Sequence, residues 1–221
     1  MTNEKLAHLL SNGLQDMSID LSSETQQRLL NYLNLLQKWN KTYNLTAVTE
    51  PSEMIIRHLF DSLAVLPYLG DASPVLDVGT GAGLPGLVLG IARPLQQFFL
   101  LDSLGKRTLF LEKVARDLKL SNITIINSRV EQYHSEISFA VFTSRAFSSL
   151  RSFIDSTKHL SDEKTIYLAF KGRYPLDEIA SVQTDVINLQ AHEVHIPGLN
   201  AERHIIQFKR RVSSCRIALS P

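Results

Sequence analysis

Cysteine is nearly missing from this chain: there is one, Cys215, in 221 residues. That excludes an internal disulfide and any zinc or iron-sulfur centre built from several thiolates of the chain itself, and makes a reducing cytosol the expected compartment. Long hydrophobic runs are missing too. The most membrane-like charge-free stretch, Val78 to Ala92, falls short of the roughly 20 residues a spanning helix needs, and Pro85 and several glycines interrupt it. The opening residues MTNEKLAHLL carry no long apolar run and no small-residue cleavage site, so no secretory leader is expected. There is no large excess of charge of either sign: 23 Lys and Arg against 22 Asp and Glu leave +1, which taken alone speaks against a nucleic-acid partner. What is present, 44% hydrophobic and 20% charged residues, fits a soluble globular protein of one large domain or a domain with an appendage.

The basic residues are nonetheless locally concentrated. After Glu202 the chain holds Arg203, Lys209, Arg210, Arg211 and Arg216 with no acid, and Lys106 to Lys119 carries five cations against Glu112 and Asp117. Solvated surface is the ordinary reading of such runs.

The first third reads as helices. Ser23-Glu24-Thr25-Gln26 has capping-box spacing, and Leu29, Leu33, Leu36 and Asn40, with Tyr32 and Trp39 alongside, give the three-to-four repeat of an amphipathic helix. A second helix is predicted from Pro51, with Ile55, Ile56, Leu59, Leu63 and Leu66 on one side, ending at Pro67 and Gly70. Residues 1–70 are expected to form a helical cap and residues 71–221 the core domain. Trp39 is assigned to packing rather than to stacking on a base. Arg57 and Asp61, four apart, are read as a local ion pair.

From Pro74 the pattern becomes short apolar runs alternating with helical stretches. Strands are predicted at Val75–Val78, Phe98–Leu101, Ile123–Ile126, Phe139–Phe142, Ile166–Phe170, Glu193–Ile196 and His204–Phe208. Helices between strands imply parallel pairing and a sheet covered on both faces, hence an α/β, Rossmann-like doubly wound sheet of about seven strands. The last two strands, joined by Pro197-Gly198-Leu199-Asn200, are too close for a parallel crossover and should form an antiparallel C-terminal hairpin.

Between the first strand and its helix, Asp77-Val78-Gly79-Thr80-Gly81-Ala82-Gly83-Leu84-Pro85-Gly86 places four glycines in eight residues, more than a tight turn needs. Glycines let backbone approach a ligand, and the following helix start offers amide donors. Gly81, Gly83 and Gly86 match G-x-G-x-x-G, a weak sign of a dinucleotide. Asp77 at the strand end argues the other way: it would repel a pyrophosphate and would attract the ammonium and sulfonium of S-adenosylmethionine. Asp102, closing the second strand, is placed to bind ribose hydroxyls of either ligand. Asp77, Gly79, Gly81, Gly83 and Asp102 are therefore cofactor-binding candidates. Lys106 and Arg107 open a helix, a poor place for cations unless an anion binds, and Lys171 and Arg173 follow the fifth strand; with Arg210 and Arg211 of the basic tail they are RNA-contact candidates. His192 and His195 lack the further ligands of a metal site, and Cys215 is read as an uninvolved thiol.

The glycine run, together with Leu101-Asp102-Ser103-Leu104-Gly105-Lys106-Arg107, Ser128-Arg129-Val130-Glu131 and Ser144-Arg145-Ala146-Phe147, resembles the bacterial ribosomal RNA small subunit methyltransferase G family, also called glucose-inhibited division protein B. The likeness continues in Lys38-Trp39-Asn40-Lys41-Thr42-Tyr43-Asn44-Leu45-Thr46, Arg57-His58-Leu59-Phe60-Asp61-Ser62-Leu63 and Glu202-Arg203-His204, and so covers nearly the whole chain. It implies a class I S-adenosylmethionine-dependent enzyme that methylates N7 of one guanosine in the decoding-region loop of 16S ribosomal RNA, acting on that RNA or on the small ribosomal subunit; separately, a cytoplasmic monomer without metal is expected. It also implies that Gly79, Leu84, Val130, Glu131 and Arg145 contact the cofactor. The family commonly has proline where Ala82 stands and an acid where Ala140 stands.

Guanine N7 keeps an unprotonated lone pair at neutral pH, so no base is needed; Arg145 is a positioning candidate and no catalytic acid or base is assigned. Two other classes fit the glycine turn: a nicotinamide-dependent oxidoreductase, and a non-catalytic RNA-binding module that keeps a methyltransferase fold.

Overall fold

Hydrophobic β-branched and aromatic runs pair into a central sheet whose inner strands bury both faces under helices. A computed structural model of the chain describes residues 2–212; Cys215 and Arg216 lie outside the described residues. The strands are β1 (Val75–Val78), β2 (Phe98–Asp102), β3 (Ile123–Asn127), β4 (Val141–Ser144), β5 (Ile166–Lys171), β6 (Val186–Glu193) and β7 (His204–Arg210), in the order β3-β2-β1-β4-β5-β7-β6. The first five run parallel; β7 pairs antiparallel with both β5 and β6. This is the expected mostly parallel sheet with a reversed C-terminal hairpin. Strand order turns back on either side of β1, and the crevice beside β1 and β4 is where such sheets bind ligands.

Two predicted strands lie elsewhere. β4 starts at Val141 rather than Phe139 and runs on through Thr143 and Ser144, both buried. Polarity hid that end from a hydrophobic pattern, yet Ser144 Oγ donates to Val78 O at 2.7 Å and ties the ends of β4 and β1 together. Ala140, at the usually acidic position, sits before the strand with its backbone bonded to Pro74 and Ile166, at the end of the sheet away from that tie. β6 occupies Val186–Glu193, not Glu193–Ile196. As an edge strand with one exposed face it carries little apolar signal, while Ile196, the apolar lure, lies in the loop and is 2% exposed within the core. The link to β7 is therefore the whole stretch from Val194 to Arg203, not the four residues from Pro197 to Asn200.

The N-terminal layer comprises α1 (Asn3–Asp16), α2 (Ser23–Tyr43), α3 (Pro51–Met54), a π-helical segment (Ile55–Phe60), α4 (Asp61–Leu63) and α5 (Leu66–Leu69). The cap of α2 is Ser22 rather than Ser23: its hydroxyl accepts from Thr25 N, while Gln26 reaches back to Leu21 O. Trp39 packs between Tyr43 and Phe110, ring centroids 5.1 and 5.7 Å away, in keeping with a packing role. Buried residues from these helices, such as Leu10, Leu29, Leu36 and Leu59, form one continuous cluster with Val75, Leu87, Phe98 and Leu168 of the sheet layer. The helices of the sheet layer are α6 (Gly86–Ala92), α7 (Gly105–Asp117), α8 (Leu150–Thr157) and α9 (Leu176–Val182).

One polar bond crosses from cap to glycine turn. Tyr32 Oη donates to Ala82 O at 2.8 Å in a fully buried position, and burial pushes the phenol pKa far up, so it remains a neutral donor. Tyr32→Phe leaves that carbonyl unpaired and is expected to lower the unfolding free energy by about 1–3 kcal/mol, read as a lower urea midpoint at unchanged slope.

Candidate active site

The turn after β1 is shaped by charge buried beneath it. Asp77, 1% exposed, accepts from Gly86 N through Oδ2 at 2.8 Å and so caps the first residue of α6 from inside the protein. A Cβ on Gly86 would stand 2.7 Å from both Cβ and Oδ2 of Asp77, so only glycine permits this approach. Burial raises the Asp77 pKa to about 6, with the Gly86 amide working against the rise. Gly79 adopts φ +71°, and a side chain there would run into Ala146, whose Cβ lies 2.6 Å from the added carbon.

The next strand supplies the second carboxylate. Asp102, 2% exposed, accepts from Gly81 N at 2.9 Å through Oδ2 and from Leu104 N at 2.9 Å through Oδ1, and Arg107 Nη1 lies 3.1 Å from Oδ2. It thereby ties the glycine turn to the start of α7. A cleft of about 200 Å³ opens between these turns, walled by Gly79, Asp102, Arg107, Val130, Glu131 and Phe147 among others. Val130 and Glu131 stand in a short 3-10 turn after β3, Val130 buried and Glu131 exposed. Phe147 stacks on Phe153, centroids 4.9 Å apart.

Five predicted cofactor contacts, Asp77, Gly81, Gly83, Leu84 and Arg145, do not wall this cleft. Asp77 faces α6. Gly81 donates its amide to Asp102. Gly83, at φ +96°, packs under Leu87 and Leu111. Leu84 packs against the hydrophobic core. A one-dimensional motif cannot separate a residue that touches a ligand from one that bends the chain around it.

Arg145 follows the Ser144 tie. Ser144 Oγ also accepts from Ala146 N at 3.0 Å, holding the Ser-Arg-Ala turn, and Arg145 Nη1 lies 3.1 Å from Asp61 Oδ2 as an ion pair. Asp61 is 4% exposed and its other oxygen accepts from Arg203 Nε at 2.8 Å. The expected Arg57–Asp61 pair is therefore replaced: Arg57 bonds Glu53 one turn earlier at 2.6 Å, and Asp61 turns inward. Sequence spacing could not show this, because the partners of Asp61 lie 84 and 142 residues away. The π-helical segment brings His58 beside them; its Nε2 meets Thr46 Oγ1 at 2.9 Å and burial lowers its pKa to about 4, so the ring is neutral at physiological pH.

The RNA-contact candidates separate into groups. Arg107 belongs to the cleft wall through Asp102. Lys171, with a side chain 10% exposed, pairs with Glu178 at 2.8 Å and reaches Phe147 O and Ser148 O, bracing the loop after Arg145 rather than facing outward. Arg210 bonds Ser161. Because Lys209 is registered with Ile166 and His204 with Lys171, Arg210 and Arg211 sit at the edge of the sheet opposite the cleft. Lys106 and Arg173 remain exposed on the cleft side. Among the described residues no cluster of three or more His, Cys, Asp or Glu could hold a metal, and His192 instead stacks on Tyr68.

The site suits a nucleoside without phosphates. The helix amide that would cradle a pyrophosphate is already bonded to the Asp77 carboxylate, whose charge would oppose a second anion. At the sheet level, the reversed β7 departs from the all-parallel dinucleotide-binding sheet.

Comparison with known proteins agrees. The family model described as rRNA small subunit methyltransferase G matches residues 25–206. A ribosomal RNA small subunit methyltransferase G of Pseudomonas entomophila is 45% identical over 206 residues, 93% of this chain and 95% of its own. One from Escherichia coli is 46% identical over 200 residues, covering 90% and 96%. Among solved structures, a tRNA methyltransferase of Aquifex aeolicus superposes with TM-score 0.56 at 12% identity, covering 70% of this chain and 69% of that one. A SAM-dependent methyltransferase of the same organism gives 0.55 at 15%, covering 72% and 94%. These structural likenesses establish the fold.

Two outcomes test the site. Gly79→Arg fills the cleft mouth and is expected to abolish binding of S-adenosylhomocysteine in calorimetric titration while the protein remains folded by circular dichroism. Asp77 has a distinct pH signature. Its folded pKa of about 6 exceeds the ordinary 3.8, so between these values the unfolded chain ionises first and the wild type loses stability as pH rises. The loss totals about 3 kcal/mol by pH 7. Asp77→Asn lacks it, so the stability of the variant relative to wild type should climb by about that amount from pH 4 to 7 in urea titrations. Taking the difference cancels His58, whose lowered pKa acts with the opposite sign.

Proposed function

This chain belongs to the rRNA small subunit methyltransferase G family, and we propose that it methylates N7 of one guanosine in the decoding-region loop of 16S ribosomal RNA. The observation that carries the cofactor half of this reading is the Asp77-capped turn beside Asp102. That turn offers a positive-φ glycine and a carboxylate to a nucleoside and no open helix amide to a phosphate.

S-adenosylmethionine is the methyl donor; when bound it supplies an electrophilic methyl on a sulfonium. Gly79 leaves room for its chain, Asp102 is placed to accept from ribose hydroxyls, Val130 and Glu131 border the adenine side, and Arg145 serves the methionine end. Asp102 needs only one free lone pair per oxygen for this, and Arg107, which shares Oδ2 now, is the partner that would give way. No residue is needed to remove a proton from N7, and His58, beside Asp61, is buried, neutral and bonded to Thr46. The protein's contribution is alignment of nucleophile, methyl and leaving sulfur, with exclusion of water.

Ribosomal RNA is the substrate. Arg173, which makes no ion pair among the described residues, lines a broad groove of about 960 Å³ that opens beside Arg203; exposed Lys106 and the cleft-lining Arg107 and Arg129 add further cationic groups. A monomer acting in the cytosol fits this reading; no described helix is long and apolar enough to cross a membrane.

The test is methyl incorporation from labelled donor into small ribosomal subunits lacking the modification, followed by mapping of the labelled base. One labelled guanosine, methylated at N7, is expected. Label on another base would refute the assignment of the target, S-adenosylhomocysteine binding without turnover would favour a non-catalytic RNA-binding module, and binding of NADH instead would revive the oxidoreductase.

A further inference from the structure

We propose that Asp61 and Arg203 are positioning residues that hold Arg145 for the carboxylate end of the cofactor, an inference that rests on the cofactor reading of Arg145. The arrangement is unlike an ion pair built for stability alone. A buried arginine and carboxylate gain most from two parallel hydrogen bonds. Here Asp61 divides its oxygens: Oδ1 accepts from Arg203 Nε at 2.8 Å, and Oδ2 lies 3.1 Å from Arg145 Nη1.

The second contact is close but poorly aligned. Arg145 Nη1 is buried and makes no hydrogen bond within the protein, so its donor capacity is unspent. One carboxylate facing two guanidiniums also leaves the trio with a surplus positive charge. His58 adds none, and Asp77, the other acid near Arg145, attracts it through space while its own Oδ2 accepts from Gly86 N. An unmade hydrogen bond on a guanidinium calls for an anionic acceptor from outside the chain, and a carboxylate has both the charge and the lone pairs.

Arg203 is the part that makes this work. By occupying Oδ1 it stops Asp61 from chelating Arg145 with both oxygens. It is anchored independently, with its own Nη1 donating to Glu202 O at 2.8 Å and its carbonyl accepting from Val194 N at 2.8 Å. Without Arg203, Asp61 turns fully to Arg145 and draws it off the ligand. Without Asp61, the two guanidiniums repel one another in a half-buried space and Arg145 moves away.

The experiment compares two probes on purified full-length protein by calorimetric titration: S-adenosylhomocysteine, which carries the amino-acid carboxylate, and 5′-methylthioadenosine, which does not. Arg203→Gln and Asp61→Asn are each expected to weaken S-adenosylhomocysteine binding about tenfold while leaving methylthioadenosine affinity within about twofold. In turnover, KM for the donor should rise with kcat changed much less, and Arg203→Lys should restore most of the affinity. Because Arg203 acts through Asp61, the double variant should bind no more weakly than Asp61→Asn alone. Equal weakening of both probes, additive effects in the double variant, or unchanged S-adenosylhomocysteine affinity in a folded Arg203→Gln would each overturn the proposal. Wild-type protein that binds neither probe would instead overturn the cofactor reading beneath it.

Discussion

A carboxylate bonded to an amide in the dry interior governs this molecule. Asp77 meets Gly86 N where neither can reach water, at the point where the chain leaves the sheet and enters its first crossover helix. Burial makes the charge costly, and the amide at the helix start offsets part of that cost. The turn that this bond closes also contains the positive φ of Gly79, the bond from Gly81 N to Asp102, and the carbonyl that Tyr32 reaches from the far layer. The edge of the cleft is shaped by an interaction buried beneath it. A helix start that already holds an internal anion is poorly suited to a phosphate.

Around that turn the chain is tied at long range. Ser144 links β4 to β1, Asp102 links the turn to α7, and Asp61 gathers an arginine from the middle of the chain and one from near its end. These bonds converge on the carboxyl ends of the parallel strands, where an open sheet leaves a crevice. The antiparallel β7 delivers Arg203 and His204 to the same side, a placement an all-parallel continuation would have reversed.

Much of this was legible in one dimension. Apolar runs marked five of the seven strands, most plainly β1 and β2, which are buried throughout, and the glycine turn with two strand-ending acids pointed to the ligand class. What escaped has physical reasons. The end of β4 is polar because Thr143 and Ser144 trade hydrogen bonds across strands, and β6 is an edge whose outer face needs no hydrophobicity. The motif lies at a cleft but could not separate its members: Asp77, Gly81 and Gly83 lie outside the lining, whereas Gly79, Asp102, Val130 and Glu131 border it. Local spacing misread Asp61, since a carboxylate four residues from an arginine reads as a surface pair until tertiary partners compete for it. Charge counting likewise grouped Lys171, Arg210 and Arg211 with Arg173, although only strand direction and burial tell a brace or a far-edge cation from one on the working side.

The π-helical stretch Ile55–Phe60 adds a last consequence. Such a stretch is an α-helix with a residue squeezed in, so its length sets the angular phase of everything after it. Each residue of an α-helix advances the azimuth by about 100°. A chain that lost one residue here and relaxed to regular winding would still bury an apolar stripe, but would swing Asp61 roughly a quarter-turn around the axis, away from both guanidiniums. The insertion thus acts as a vernier: homologous helices of equal hydrophobicity but different length would share the cap and differ in whether it can grip the arginine.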